Sequence, residues 1–156
     1  MTHSATDHPA NAGLRRHRAP QHRGTKLPPV AYPADVPRPY EQLGTHPDLV
    51  ARLWDELTLR LPVDCRAIFF GAPVLMHPVT GVVFGFAGGT HTYALRLPEP
   101  ERSAALATGA TRVIHYPARQ GSYDLAEIGE EWVFCRWFKD EEAWCLAAFE
   151  LAGRDQ

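Results

Sequence analysis

Outside the first forty residues, the side chains best suited to metal binding or proton transfer are three histidines: His77, His91 and His115. His91 begins one predicted strand and His115 lies near the end of another, so their rings could meet at one rim of a sheet. Arg96 follows His91 on the same predicted strand and could join them at the mouth of a pocket. The candidate ligand-binding set is therefore His91, His115 and Arg96.

A metal centre needs three or four converging ligands, usually with recognisable local spacing. The sequence has no H-x-H, HExxH or CxxC pattern. We therefore predict no metal ion and no cofactor. Without a pocket to bring them together, the histidines are interpreted as ordinary residues at strand ends.

The cysteines do not form an obvious nucleophilic group. Cys65 follows Asp64, whose negative charge would raise the pKa of the thiol and make it less reactive. Cys135 alternates with tryptophans in a predicted buried strand, which favours an inert thiol. Three cysteines without a CxxC pair are typical of free, buried thiols in a reducing compartment.

Adjacent carboxylates occur at Glu130-Glu131 and Glu141-Glu142. Neighbouring side chains point apart on a strand and lie about 100° apart on a helix, so neither pair can converge for acid–base catalysis. Glu141 and Glu142 are better explained by the positive end of a helix dipole. No catalytic residue is predicted, and the sequence favours a non-enzymatic protein.

The adjacent glycines Gly88 and Gly89 could belong to a phosphate-binding loop. Such a loop leads from a strand into a helix, whose free N–H groups bind the anion. Here the glycines lead into HTYALRL, whose alternation is typical of a strand. They therefore predict a hairpin turn in which both glycines supply positive φ angles.

Hydrophobic periodicity and end signals predict the elements that would position these residues. A helix over 45–61 begins with Thr45 as its N-cap and stops at Pro62. A second helix lies within 98–108, and a third begins at Asp140 as its cap. Strands are predicted at 66–70, 73–77 (a short strand or edge segment), 81–86, 91–97, 111–116 and 132–138.

The order of these elements predicts a single α+β domain, an antiparallel sheet of about five strands with helices packed mainly on one face. Strand 132–138 has bulky residues on both faces and is therefore predicted to be central. If helices cover only one face, the other face exposes an aromatic patch formed by Trp132, Phe134 and Trp137. Such a patch is typical of a surface for a protein partner or for self-association.

Residues 1–40 differ in composition from residues 41–156. The first segment has seven of the 14 prolines and six Arg or Lys against two Asp, a net charge of +4. It predicts a disordered basic arm, because so little apolar surface cannot offset the entropy of ordering. The segment 41–156 has ten Arg or Lys against 16 Asp or Glu, and it is predicted to be globular with a net charge of −6.

The charge of the arm permits weak, sequence-independent contact with nucleic acid, which the acidic body would oppose. The arm lacks the apolar run of a secretory signal, and no segment approaches the roughly 20 apolar residues of a membrane helix. We therefore expect a cytoplasmic protein that does not contact a membrane.

Residues 81–116 carry the pattern GVVFGF, TYALRL, a short helix and GATRVIHY, preceded in the chain by FFGAPVL. This pattern resembles the N-terminal domain of TfoX-type competence regulators and the related YjbR-like proteins, over residues 46–152. The resemblance implies a small α+β domain with no established enzymatic chemistry, associated with regulation or DNA. GEEWVFCRWF replaces the tyrosine-rich segment expected late in this family, and no site residues transfer.

The sequence leaves three functions open. The first is a non-enzymatic domain for protein–protein interaction or regulation, which binds a protein partner or a second copy through its aromatic face. The alternative is a small-molecule-binding or enzymatic domain with a pocket near His91 and His115. The second alternative is a nucleic-acid-associated regulator of the TfoX-like type.

Overall fold

The computed structural model describes residues 4–41, 44–89, 91–116 and 121–155. The elements within these residues are α1 Ala12–His22, β1 Val30–Ala31, α2 Pro47–Ala51, β2 Arg66–Phe69, β3 Ala72–Met76, β4 Val83–Gly88, β5 Thr92–Arg96, α3 Glu101–Thr108, β6 Val113–Tyr116, β7 Gly121–Asp124, β8 Trp132–Cys135 and α4 Glu141–Arg154. After α2 the chain continues as a π-helical turn over Arg52–Glu56 and a 3-10 turn over Leu57–Arg60. Within the described ranges, no helix is both long and apolar enough to cross a bilayer.

Six strands form one antiparallel sheet in the order β1-β2-β3-β4-β5-β8, and β6 pairs with β7 in a separate two-stranded sheet. The predicted α+β class with an antiparallel sheet is confirmed, but the sheet has six strands rather than about five. The prediction of a central strand at 132–138 is wrong, because β8 lies at the edge of the sheet beside β5.

Both faces of the six-stranded sheet are covered, and this explains why the edge strand β8 is apolar on both sides. On one face, α2, α3 and α4 pack against strand residues that include Leu75, Leu95 and Val133. On the other face, Leu14 of α1 and Leu125 pack against a second cluster of strand side chains, which includes Phe69, Val74, Phe86, Trp132 and Phe134. Trp132 and Phe134 of β8 are therefore core residues of the second face, whereas Val133 and Cys135 belong to the core of the first.

The helix predicted over 45–61 is present over 47–60, but its N-cap differs from the prediction. Nδ1 of His46 accepts a hydrogen bond of 3.1 Å from the backbone N–H of Asp48. The predicted cap, Thr45, has a buried hydroxyl without a hydrogen-bond partner among the described residues. An imidazole nitrogen replaces the usual hydroxyl acceptor at this position.

The hairpin predicted around Gly88 and Gly89 joins β4 to β5, with Gly88 opposite Thr92. Only Gly89 of the two glycines has a positive φ, +66°. The expectation that both glycines adopt such angles is therefore wrong. Gly88 instead ends β4 as an extended residue, and its carbonyl accepts a hydrogen bond from the Thr92 hydroxyl.

Composition predicted a disordered arm over residues 1–40, but within this segment α1 packs on the second sheet face and β1 joins the sheet. Leu14 of α1 is 1% exposed, and Gly13 lies against the backbone of Ile128. Asn11 donates 2.7 and 2.8 Å hydrogen bonds to the carbonyls of Ala5 and Gly81, and it accepts one of 2.8 Å from Val83 N–H. A few close polar contacts hold this segment, which hydrophobic content alone does not reveal.

Candidate functional site

The predicted ligand-binding set does not form one site in the described structure. His91 is exposed at the β4–β5 turn, whereas Arg96 lies at the other end of β5. Five residues of strand separate these positions by about 16 Å. The buried Arg96 guanidinium forms an ion pair with Asp155 at 2.5 Å. His115 lies on β6, outside the six-stranded sheet, and its side chain is outside the described part of the structure.

His77 has a local structural role. Its Nδ1 accepts hydrogen bonds from the N–H groups of Val79 and Thr80, at 3.1 and 3.3 Å, and so closes the turn before β4. The ring packs edge-on against Phe149 of α4. Burial lowers the pKa of His77, which favours the neutral ring that these two hydrogen bonds require.

The three cysteines are free and buried, as the sequence predicts. Burial, reinforced by the charge of Asp64, raises the pKa of Cys65 to about 12. Burial also raises the pKa values of Cys135 and Cys145 above the ordinary thiol range. All three thiols are therefore protonated near neutral pH and are poor nucleophiles.

The predicted aromatic surface is divided between the core and solvent. Trp132 and Phe134 are 2% and 1% exposed, because the chain itself covers their face of the sheet. Trp137, just after β8, has 49% of its surface exposed. Of the aromatic residues predicted as a partner surface, only Trp137 is accessible.

A fully buried carboxyl group lies close to Trp137 in the fold and bonds to the backbone of the preceding residue, Arg136. Glu141, the first residue of α4, is 0% exposed. Its Oε1 accepts hydrogen bonds from Arg52 Nη2 at 2.9 Å and from the Tyr93 hydroxyl at 2.5 Å. Its Oε2 accepts one from the Arg136 backbone N–H at 3.0 Å. We call these residues, together with Trp137, the Glu141 network.

The charges in the Glu141 network are complementary. Burial lowers the pKa of Arg52, but its hydrogen bonds, that to Glu141 first, outweigh this effect and leave the pKa above its ordinary value. Burial and the hydrogen bond to Glu141 raise the pKa of Tyr93. Arg52 is therefore charged and Tyr93 protonated at neutral pH. Both oxygens of Glu141 are engaged by donors of the chain, so the carboxylate holds structure in place.

The backbone of Trp137 has a left-handed conformation, with φ of +58°. This region is unfavourable for a bulky side chain, so surrounding contacts must enforce it. The Trp137 N–H donates a hydrogen bond to the Tyr93 hydroxyl, and the guanidinium of Arg52 lies 5.7 Å from the centre of the Trp137 ring. The Glu141 network thus holds the indole outward in one orientation.

A second irregular backbone conformation occurs at Arg52, another residue of the Glu141 network. Arg52 begins the π-helical turn Arg52–Glu56, and it also forms a 2.9 Å ion pair with Glu56. Single π-helical turns are rare in proteins, and those that do occur often lie at functional sites. Two unusual backbone conformations therefore converge on one exposed tryptophan.

Sequence reasoning missed the Glu141 network because Glu141 was assigned to the helix dipole. The structure also gives Asp140 no side-chain capping hydrogen bond, contrary to the prediction for the start of α4. The sequence did contain one indication of a buried polar network, namely Tyr93, which shares a predicted strand face with the apolar Leu95. A buried phenol usually requires a hydrogen-bond partner. No local spacing identifies Glu141 as that partner, which lies 48 residues further along the chain.

Substitution of Trp137 by glycine and by alanine separates backbone strain from loss of the ring. Both variants lack the indole, but only glycine adopts a positive φ without cost. We expect Trp137→Gly to be about 1 kcal/mol more stable than Trp137→Ala. Urea unfolding curves of the two variants measure this difference. Equal stability, or a more stable alanine variant, would show that the backbone at this position is unstrained.

No family model, curated protein or solved structure matches the chain. The described side chains include no group of three or more His, Cys, Asp or Glu residues placed to hold a metal ion. The resemblance to TfoX-type and YjbR-like domains therefore stays a prediction.

Proposed function

We propose that the protein is a non-enzymatic domain for protein–protein interaction or regulation, and that its docking surface is centred on Trp137. The observation that carries this proposal is the 49% exposed indole, whose strained backbone conformation is held by the Glu141 network with its fully buried carboxyl group. Strain of this kind persists only where surrounding contacts enforce it, and it is concentrated at functional positions.

A fixed, exposed tryptophan is well suited to binding a protein. Tryptophan and arginine are enriched among the residues that dominate interface energies, and a rigid side chain loses little entropy on binding. Trp137 is already ordered by the contact with Arg52 and by an edge-on contact with the Tyr93 ring, at 4.9 Å between centroids. The partner would therefore meet a preformed anchor.

The surroundings of Trp137 combine both signs of charge. Arg136 and Lys139 are exposed on either side of it in sequence. The side chain of Glu56 is 50% exposed and forms an ion pair with Arg52. The side chain of Glu142 is 39% exposed and forms one with Arg60. An apolar centre with a mixed polar rim is the usual composition of a protein interface, and it fits a partner protein or a second copy.

The two other functions receive less support. A pocket near His91 and Arg96 would need side chains that lie at opposite ends of β5 to converge. The composition is consistent with weak contact between the basic N-terminal segment and nucleic acid, which stays a prediction. A cytoplasmic location likewise stays a prediction.

Site-specific photo-crosslinking in the native cell tests the docking surface. A benzophenone amino acid would replace Trp137 in one variant and Tyr32 in the other, because Tyr32 is 48% exposed and thus a matched aromatic control. We expect a discrete crosslinked species, with a partner or a second copy, from position 137 only. Equal yields at both positions, or no product at position 137, would contradict the proposal.

A further inference from the structure

The side of α1 that faces the body is polar, although it lies on an apolar sheet face. Asn11, Leu14, Arg18 and His22 follow one another at helical spacing along this side. Leu14 is the only large apolar residue among these four. A polar stripe packed against a protein surface requires a partner for each of its groups.

Three residues of this stripe have their partners in the chain. Asn11 makes its three hydrogen bonds to backbone groups, and Leu14 packs in the second core cluster. Nε2 of His22 lies 2.7 Å from the Leu27 carbonyl, and its ring packs edge-on against Phe70.

Arg18 is the exception. Its side chain is half-buried, and its Nε is buried without a hydrogen-bond acceptor among the described residues. No described carboxylate lies within the 4.0 Å of an ion pair from its guanidinium. Burial lowers the pKa of Arg18, and the nearby Tyr123 opposes this effect only in part, so the cation is partly removed from water.

The groups around Arg18 come from three parts of the fold. Its Nη2 lies beside the β2–β3 turn, 3.8 Å from where a Cβ on Gly71 would be. The adjacent His17 packs against the ring of Tyr123 on β7, with 4.5 Å between ring centroids. Arg18 thus lies at a junction of α1, the β2–β3 turn and β7.

The segment that contains α1 contributes charges of one sign to this junction. Between Asp7 and Asp35 the chain has no acidic residue, and it has five cations: Arg15, Arg16, Arg18, Arg23 and Lys26. A cluster of this kind attracts anions, more strongly when they are doubly charged. The planar guanidinium also matches the oxygen spacing of phosphate.

We propose that Arg18 is the anchor of an anion-binding site for a phosphate group at the junction of α1, the β2–β3 turn and β7. The site is separate from the Trp137 surface and does not rest on the proposed function. The bound oxygens accept hydrogen bonds from the guanidinium that has no acceptor within the described chain. Binding also links the basic N-terminal segment to the sheet, which stabilises the docked position of α1.

Titration of the full-length protein with inorganic phosphate, followed by NMR of the backbone amides, tests this site. Sodium chloride at matched ionic strength serves as the reference. We expect saturable shifts confined to residues 17–23, to the β2–β3 turn and to the part of β7 around Tyr123. Arg18→Gln should weaken phosphate binding at least about tenfold, which corresponds to about 1.4 kcal/mol.

Arg23→Gln is the matched control, because it removes the same charge from an exposed residue just after α1. It should change the affinity less than about twofold, as expected for an exposed charge screened by solvent. Arg18→Lys keeps the charge but loses the planar fork, so intermediate binding is expected. Because this variant keeps the cation, it also tests the site if Arg18→Gln fails to fold.

Two results would overturn the site. One is a set of shifts that chloride reproduces or that does not saturate. The other is equal weakening by Arg18→Gln and Arg23→Gln, which would indicate diffuse attraction by the whole basic segment. A single-stranded oligonucleotide used as a second ligand identifies the source of the phosphate. If the oligonucleotide binds more tightly than inorganic phosphate and its binding depends on Arg18 in the same way, the site is supported and the phosphate it binds belongs to a nucleic-acid backbone.

Discussion

Replacing Glu141 by alanine is expected to lower the free energy of unfolding by about 3–5 kcal/mol, because it removes the buried partner of the Arg52 cation and leaves only the ion pair with the half-exposed Glu56. The change also removes the acceptor for the Tyr93 hydroxyl and for the Arg136 N–H. Chemical unfolding of the wild-type and variant proteins measures the effect. Glu141 and Tyr93 are both 0% exposed, so water cannot replace the lost carboxylate without local rearrangement.

Glu142→Ala is the control for this prediction, since it removes a neighbouring carboxylate whose side chain is 39% exposed and whose ion pair with Arg60 is long, at 3.9 Å. Its cost should stay below about 0.5 kcal/mol. Similar costs at Glu141 and Glu142 would mean that both carboxylates act only on the helix dipole, as the sequence alone suggests.

Gly13→Ala is expected to cost about 1–3 kcal/mol, because the added methyl group has no space. A Cβ at this position would lie 2.1 Å from the carbonyl oxygen of Ile128, and this neighbour is backbone that cannot rotate away. The variant should therefore loosen α1 from the sheet and increase hydrogen exchange over residues 12–22. Chemical unfolding and amide hydrogen exchange measure the two effects.

Gly24→Ala provides the matched control, because a Cβ there meets nothing within 4 Å. It should change stability by less than about 0.5 kcal/mol. If both substitutions are neutral, the N-terminal segment is not docked and the disorder expected from its composition describes it better.

Local signals in the sequence identified most of the elements. The acidic first turn predicted α4, Gly109 predicted the end of α3, and alternating residues predicted β5 beside its hairpin turn. Each of these signals depends on residues close together in the chain. The order of the strands depends on pairing over long distances, so the edge position of β8 could not be read from its aromatic residues.

The N-terminal segment and the Glu141 network were missed for a related reason. Asn11 bonds to Gly81 and Val83, and Arg52 bonds to Glu141, across separations of 70 or more residues. Single polar side chains that satisfy distant backbone or charged groups leave no periodic pattern. Composition therefore described the segment 1–40 by its low apolar content and gave no weight to its specific contacts.

Solvent accessibility of the Trp137 indole, measured by hydroxyl-radical footprinting, tests the proposed docking surface most directly. Oxidation would be compared between the dilute purified protein and the protein in its native cell, with Tyr32 as the reference of equal exposure. The proposal predicts that Trp137 is oxidised readily in the dilute protein and is protected in the cell, whereas oxidation of Tyr32 does not change. Equal oxidation of Trp137 in both settings would contradict a docking role for this surface.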